Sequence, residues 1–341
     1  MAAQKKRTTT AGALPTAGQG GNLPPKGDGL IKTKHPLAQN KWLAAFINLP
    51  PWLFLLLLFV APISLVWVYS FGEKVGLIDI KASWVLDNYA RVLSPIYLLI
   101  FAKSFLTVAV ATIICIIVAY PVAIGICFID KKWQPWLLLL VILPFWINVL
   151  IRTYGLISII RDQGTINNTL SVFWSGAQYL VNIFGLSHIV PWLTEDFKPI
   201  PMMNTGFSVY LGLIYSYIPF MILPIYTALE KIDKSYIEAS LDLGASQWRT
   251  FRSIILPMTS QGLSSGIILV FIPALGAFYI PTLLGNPNWY LIGNIIEQQF
   301  HSSNDLPFGS ALSFLLMYVT FGALAARSYF EGRQEQKIKG S

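Results

Sequence analysis

Six stretches of the chain contain no Asp, Glu, Lys or Arg and are long enough to cross a bilayer. They run from Pro50 to Phe71, Ser104 to Phe128, Trp133 to Ile151, Thr205 to Leu229, Gln261 to Gly285 and Phe308 to Ala326. A helix needs about 20 apolar residues to span ~30 Å of hydrocarbon, and each stretch meets or nearly meets that length. Runs such as LLLLVILPFW do not alternate apolar with polar positions, which excludes the strands of a barrel. The pattern predicts an all-α membrane protein with six transmembrane helices.

Residues 1–42, rich in Gly, Ala, Thr, Pro and Lys, cannot bury a core and read as a disordered basic tail. The apolar run that follows is long and ends in VWVYSF, which reads as an uncleaved first helix rather than a signal peptide. Residues 43–330 then form the six-helix transmembrane bundle, and 331–341 a C-terminal tail. A first outer loop, 72–103, is expected to carry a short interfacial helix near Leu86 to Leu99. A second, 161–204, contains the moderately apolar piece Thr165 to Leu186, read as a re-entrant or surface helix. The first five helices hold Pro62, Pro121, Pro144, Pro219, Pro224, Pro273 and Pro281. Prolines are common in membrane helices, and they also make kinks that alternating access can use.

Charge orients this bundle. Only 12% of the 341 residues are charged against 55% hydrophobic, too few for the polar shell of a soluble protein, where ~25% is usual. The formal net charge of +8 comes from basic residues before the first helix, at Lys131 and Lys132, in 230–260, and after the last helix. Placing both termini in the cytoplasm satisfies the positive-inside rule; a seventh span at Thr165 to Leu186 would put later basic segments outside. The pI near 9.3 therefore reflects topology and contact with membrane lipid, not nucleic-acid binding. Cys115 and Cys127 lie on one helix ~18 Å apart, beyond disulfide reach. His35, His188 and His301 show no metal-ligand spacing, and no nucleophile–base set suggests catalysis in this chain.

One loop differs from the rest. Residues 230–257 read EKIDKSYIEASLDLGASQWRTFRSIILP. Tyr236, Ile237, Leu241 and Leu243 form an apolar stripe beside Glu238 and Asp242. Gly244 is placed to end the helix with positive φ, and Ser246 to cap the next. Trp248, Phe251 and Ile254 to Leu256 continue it, with Arg249 and Arg252 between them, and Pro257 leads into helix 5. The spacing predicts an amphipathic helix–turn–helix at the cytoplasmic face.

Here the chain resembles the coupling loop of ABC importer permeases, whose pattern is Glu-Ala-Ala, three residues, Gly, nine residues, then Ile-x-Leu-Pro. Glu238, Ala239, Ser240, Gly244, Ile254, Leu256 and Pro257 stand at those spacings, with Ser240 the one departure. LLLLVILPFWINVLIRTYGLI, IPFMILPIYTALEKIDKSYIEASLDLGAS and LIGNIIEQQF with LPFGSA extend the resemblance over about residues 50–330. These look like spermidine/putrescine permeases, nearest to the first of the two permease subunits in such systems. The resemblance implies a type I ABC importer permease fold in the bacterial inner membrane. It also implies ABC ATPase subunits, a second homologous permease and an outer-face substrate-binding protein as partners. The loop would dock in the ATPase, its apolar stripe supplying area and Glu238 and the arginines charged contacts. No Gly-x-x-x-x-Gly-Lys-Ser/Thr loop occurs in the chain, so ATP and Mg are expected on the partner ATPase and no cofactor here.

The cargo is less legible. A polycation needs aromatic faces, carbonyls and carboxylates, yet the spans contain no acid. Candidates for its path are Trp146, Asn148, Tyr154, Tyr215, Tyr217 and Tyr279, with Asp162, Glu297 and Asp305 at the outer face. Aromatics at helix ends equally form an ordinary interfacial belt. Arg152 suits a brace at the gate better than a cation contact. A phosphonate, iron or other small solute carried by the same machinery stays open, as does a transporter working without ATP.

Overall fold

The structure, a computed structural model, describes residues 49–76, 79–81, 83–184 and 195–339, with side chains as far as 325. The tail expected at 1–42 lies outside the described residues. Among them, four helices are long and apolar enough to cross a membrane, or six if each of two sharply bent helix pairs is one span.

The first helix, α1 (Leu49–Tyr69), contains a π-helical turn at Leu56–Val60 and is apolar on every face. A small antiparallel hairpin follows, β1 (Glu73–Val75) paired with β2 (Asp79–Lys81) in the register Lys74 to Ile80. The apolar pattern gives no sign of it. The short helix expected across Leu86 to Leu99 is only α2 (Asp87–Val92), because α3 (Pro95–Phe128) begins well before Ser104. Lys103 does not end the helix: its long side chain reaches the Asn288 carbonyl and lies 5.5 Å from the Trp289 ring.

On α3, Ser104, Val108, Ala111, Cys115, Ala119 and Ala123 are buried at three- and four-residue intervals, one helical stripe. This stripe packs against α7 (Gly206–Glu230), which packs in turn against α10 (Ser260–Leu275). Thr205 caps α7 at its expected start through Ser208. The α7–α10 contact is close because glycines permit it. A Cβ on Gly262 would lie 2.5 Å from the Pro224 carbonyl oxygen, and one on Gly266 would lie 2.7 Å from the Met221 sulfur. Without a hydrophobic drive between helices in lipid, this small-residue contact supplies the packing. A second apolar cluster joins Val92, Phe101, Ile292, Phe308 and Leu312, tying α2 and α3 to α12 (Ile292–His301) and α13 (Leu306–Lys339). Backbone helix thus continues through position 330.

Two expected spans are broken. The stretch Trp133 to Ile151 is α4 (Gln134–Trp146), whose last turn, Leu143–Trp146, is a 3₁₀ helix, and then the start of α5 (Val149–Ile160). The path turns by 97° between Gln134–Trp146 and Val149–Ile183. Pro144 starves the ladder of a donor there, and Asn148 restarts it as the N-cap of α5, accepting from Leu150 N at 2.8 Å. Residues Thr165–Ile183 are helical, α6. Gln261 to Gly285 is likewise two helices, α10 and α11 (Tyr279–Leu284), interrupted after Pro273 at Gly276.

Candidate functional site

The loop after α7 folds as α8 (Lys234–Asp242) and α9 (Gln247–Met258). Asp233 opens α8 by accepting from Ser235 N at 3.0 Å, and these hydrogen bonds hold its carboxyl below the usual aspartate range. Gly244 closes it at φ +80°, with Gly244 N donating to Leu241 O and Ala245 N to Ser240 O at 2.9 and 3.1 Å. That paired 5→2 and 6→1 arrangement is the Schellman stop, which favours a residue without Cβ. Ser246 then caps α9, its Oγ accepting from Arg249 N at 3.2 Å.

The two faces of this hairpin have different tasks. Ile237 and Leu256 pack on the bundle core. Glu238, Ala239, Tyr236 and Leu243 stand out from it, with Leu243 89% exposed. The departure at Ser240 has a local use: its hydroxyl lies 2.9 Å from Thr250 Oγ1 and ties α8 to α9. Ile254 is half-buried, and Pro257 is exposed near the end of α9. Pro257 does not itself open the next span. Between Gln247–Met258 and Ser260–Leu275 the chain bends by 72°, at Thr259. Thr259 Oγ1 donates to Ile255 O at 2.7 Å and meets the Tyr120 hydroxyl at 2.9 Å, fixing the elbow to α3. Sequence reasoning passed over Tyr120, Thr250 and Thr259. Their only signal was a hydroxyl at the margin of an apolar run.

Around the middle of α7 and on α4 and α5 the path candidates separate. Trp146 and Tyr154 are 76% and 56% exposed on the α4–α5 elbow. Asn148 has its amide oxygen committed to the helix cap. Tyr217 is buried and donates to the Pro273 carbonyl at 3.3 Å, and it also interacts with Tyr279. Two turns of α5 and α7 meet at Arg152, which is 7% exposed. Its Nη1 donates to Pro144 O at 3.4 Å, and its guanidinium lies 5.9 and 5.5 Å from the Phe145 and Tyr215 rings. Arg152 and Tyr217 therefore each reach a carbonyl at a proline break, one on α4 and one on α10.

The acids do not join that cluster. Asp162 is exposed just after α5. Glu297 sits on α12, 3.8 Å from His301. Asp305 pairs with Arg91 at 2.9 Å and accepts from Phe308 N at the start of α13, a bracing role.

Bent apolar helices long enough to span a bilayer, with a capped helical hairpin exposed after α7, are the frame of a multi-span membrane protein. Over residues 41–330 the sequence matches the family described as binding-protein-dependent transport system inner membrane component, and the chain belongs to that family. It is an inner-membrane transport subunit with the ABC importer permease fold. Among its relatives is the spermidine/putrescine transport system permease protein PotB of Salmonella typhimurium, strain SL1344. That protein is 39% identical over 240 residues, covering 70% of this chain and 77% of the relative. The protein of the same name from Haemophilus influenzae is 38% identical over 252 residues, covering 74% and 81%. The fold resembles a chain of a bacterial alginate ABC transporter in complex with an alginate pentasaccharide-bound periplasmic protein. There the TM-score is 0.61 at 15% identity, covering 86% of this chain and 94% of the other.

Proposed function

We propose that this chain is one permease subunit of an ATP-driven importer of polyamines, spermidine and putrescine, working by alternating access. The observation that carries the transport reading is the α8–α9 hairpin: a rigid, capped element that exposes Tyr236, Glu238 and Leu243 while Ile237 and Leu256 anchor it to the core. An ATPase subunit that takes up this face can move the bundle through the Thr259 elbow. The polyamine cargo is supported by the 38–39% identity to two permeases named for spermidine and putrescine.

On this reading ATP and Mg are bound by the ATPase, and a second permease completes the pathway. A substrate-binding protein delivers cargo at the end carrying Asp162 and Glu297. The α8–α9 end faces the cytoplasm, as its lysines and arginines require. Tyr154, Tyr215, Tyr217 and Tyr279 offer aromatic faces to an ammonium group, while Arg152 holds the α4–α5 elbow shut against an unloaded pathway. Trp146 stands at the rim.

The test is reconstitution of the permease pair with its ATPase and binding protein in proteoliposomes. ATP-dependent uptake of labelled spermidine or putrescine is expected. Uptake of a non-amine solute with none of either amine would refute the cargo, and uptake without ATPase would refute the coupling.

A further inference from the structure

Beside the elbow lies a groove that the transport reading leaves unused. It is about 570 Å³ and runs between α3 and α9, with Ile117, Pro121 and Ile124 on one wall and Trp248 and Phe251 on the other. That volume falls in the range of ligand clefts. Trp248 stacks on Phe251 with ring centroids 5.5 Å apart, and Phe251 meets Tyr120 edge-on at 5.3 Å. The one hydroxyl nearby, that of Tyr120, is already engaged by Thr259. Hydrocarbon can fill such a space and polar cargo cannot. Even so, Ile117 is 65% and Trp248 70% exposed, so the groove opens sideways and needs cover.

Charge on the helix that forms one wall points to the occupant. Arg249 and Arg252 follow Trp248 on the same helix, one and four residues on, Arg252 within the π-helical turn Phe251–Ile255. Both are exposed, and among the described residues neither forms an ion pair. An apolar slot walled by a helix that carries two exposed arginines matches an amphiphile with an acyl chain and an anionic phosphate head. We propose that this groove binds an anionic phospholipid of the cytoplasmic leaflet, its chain along Ile117 and Trp248 and its phosphate on Arg249 and Arg252. The leaflet rests on the orientation proposed above. The arginines then serve the membrane rather than the ATPase. Because the lipid chain would lie against Tyr120 and Phe251, its presence stabilises the elbow angle at Thr259, and transport becomes sensitive to lipid charge.

The experiment uses the assembled transporter in nanodiscs and reads the Trp248-dependent fluorescence, wild type minus Trp248→Leu. The probes are phosphatidylglycerol or phosphatidylcholine brominated on the acyl chain. Two basic side chains should give the anionic lipid about a 30-fold preference in quenching. Replacing both residues, Arg249→Gln with Arg252→Gln, should remove the preference, and the groove-filling Ile117→Trp should remove quenching by both lipids. Equal quenching by the two lipids, or a preference that survives the double arginine change, overturns the site in favour of ordinary bilayer contact. Absence of quenching together with cross-linking of Ile117→Cys to the second permease overturns it in favour of a subunit interface. Uptake measured on the same preparations tests the transport reading separately.

Discussion

Tyr217, in the unbroken helix α7, donates its hydroxyl to the carbonyl of Pro273, 3.3 Å away on the broken helix α10. The Pro273 carbonyl lies in the last turn of α10, which ends at Leu275 before Gly276, so it has no intrahelical donor four residues on. A distant side chain thus meets a carbonyl at the break. Tyr217→Phe removes the hydrogen bond and leaves that oxygen in an apolar setting. The expected cost is about 1 kcal/mol, lowering the Tm of the purified subunit. Uptake should fall more than binding-protein docking does, because the α10–α11 junction loses its tie. Unchanged Tm and uptake would show that the contact has no function.

Arg152 makes the matching contact on α4. Arg152→Met keeps an unbranched apolar stem but deletes the donor to Pro144 and the guanidinium beside Phe145 and Tyr215. The elbow loosens, and ATP hydrolysis in the absence of binding protein should rise several-fold while uptake falls. Measuring ATPase activity with and without loaded binding protein checks this; hydrolysis that stays dependent on binding protein would contradict it.

Gly244 owes its place to backbone, not to space: φ is +80° and a Cβ there would meet nothing within 4 Å. Gly244→Leu should therefore cost about 1–3 kcal/mol of strain in the loop without any clash. Co-purification of the ATPase should be lost, whereas Gly244→Asn, which tolerates the left-handed region, retains part of it. Gly262→Val is a different lesion. Its side chain would collide with Pro224 and Ala228, and a loss of folded protein of about 1–3 kcal/mol or more is expected. Gly155→Ala, with open space around it, serves as the neutral control.

Asp233 supplies a pH signature outside the membrane. Its carboxyl is held below the ordinary value by the Ser235 hydrogen bonds, so the ionised form favours folded α8. That contribution is present above the unfolded value, near 4, and is lost as pH falls through the lower folded one. Hydrogen exchange at the start of α8 should quicken in acid for wild type. Asp233→Asn keeps a cap and should abolish the pH dependence.

How far the sequence carries can be judged at particular residues. The start of α7 is legible because Thr205 signals a cap, and the α8–α9 turn because Gly244 and Ser246 mark a stop and a start. The start of α3 is not: Lys103 looks like a boundary, and only the position of Asn288 and Trp289 lets a lysine stay in the helix. Asn148 illustrates a second obstacle. A side-chain amide inside an apolar run suits a polar pathway and a helix cap equally well, and only the Leu150 hydrogen bond separates the two. The Arg152–Tyr215 and Tyr217–Tyr279 associations join helices far apart in the chain, where neither period nor spacing gives any signal.

The glycine contacts of α10 with α7 have a mechanical consequence. Helices that touch backbone to side chain at Gly262 and Gly266 have no slack for sliding, so they move as one block. A displacement arriving at α8 then passes to that block through the 72° corner at Thr259, which its contact with Tyr120 ties to α3. Under the coupling proposed above, α9 is the short arm of a crank, Thr259 its pivot and the α7–α10 pair its long arm, which carries the turn to the contact of Tyr217 with Pro273.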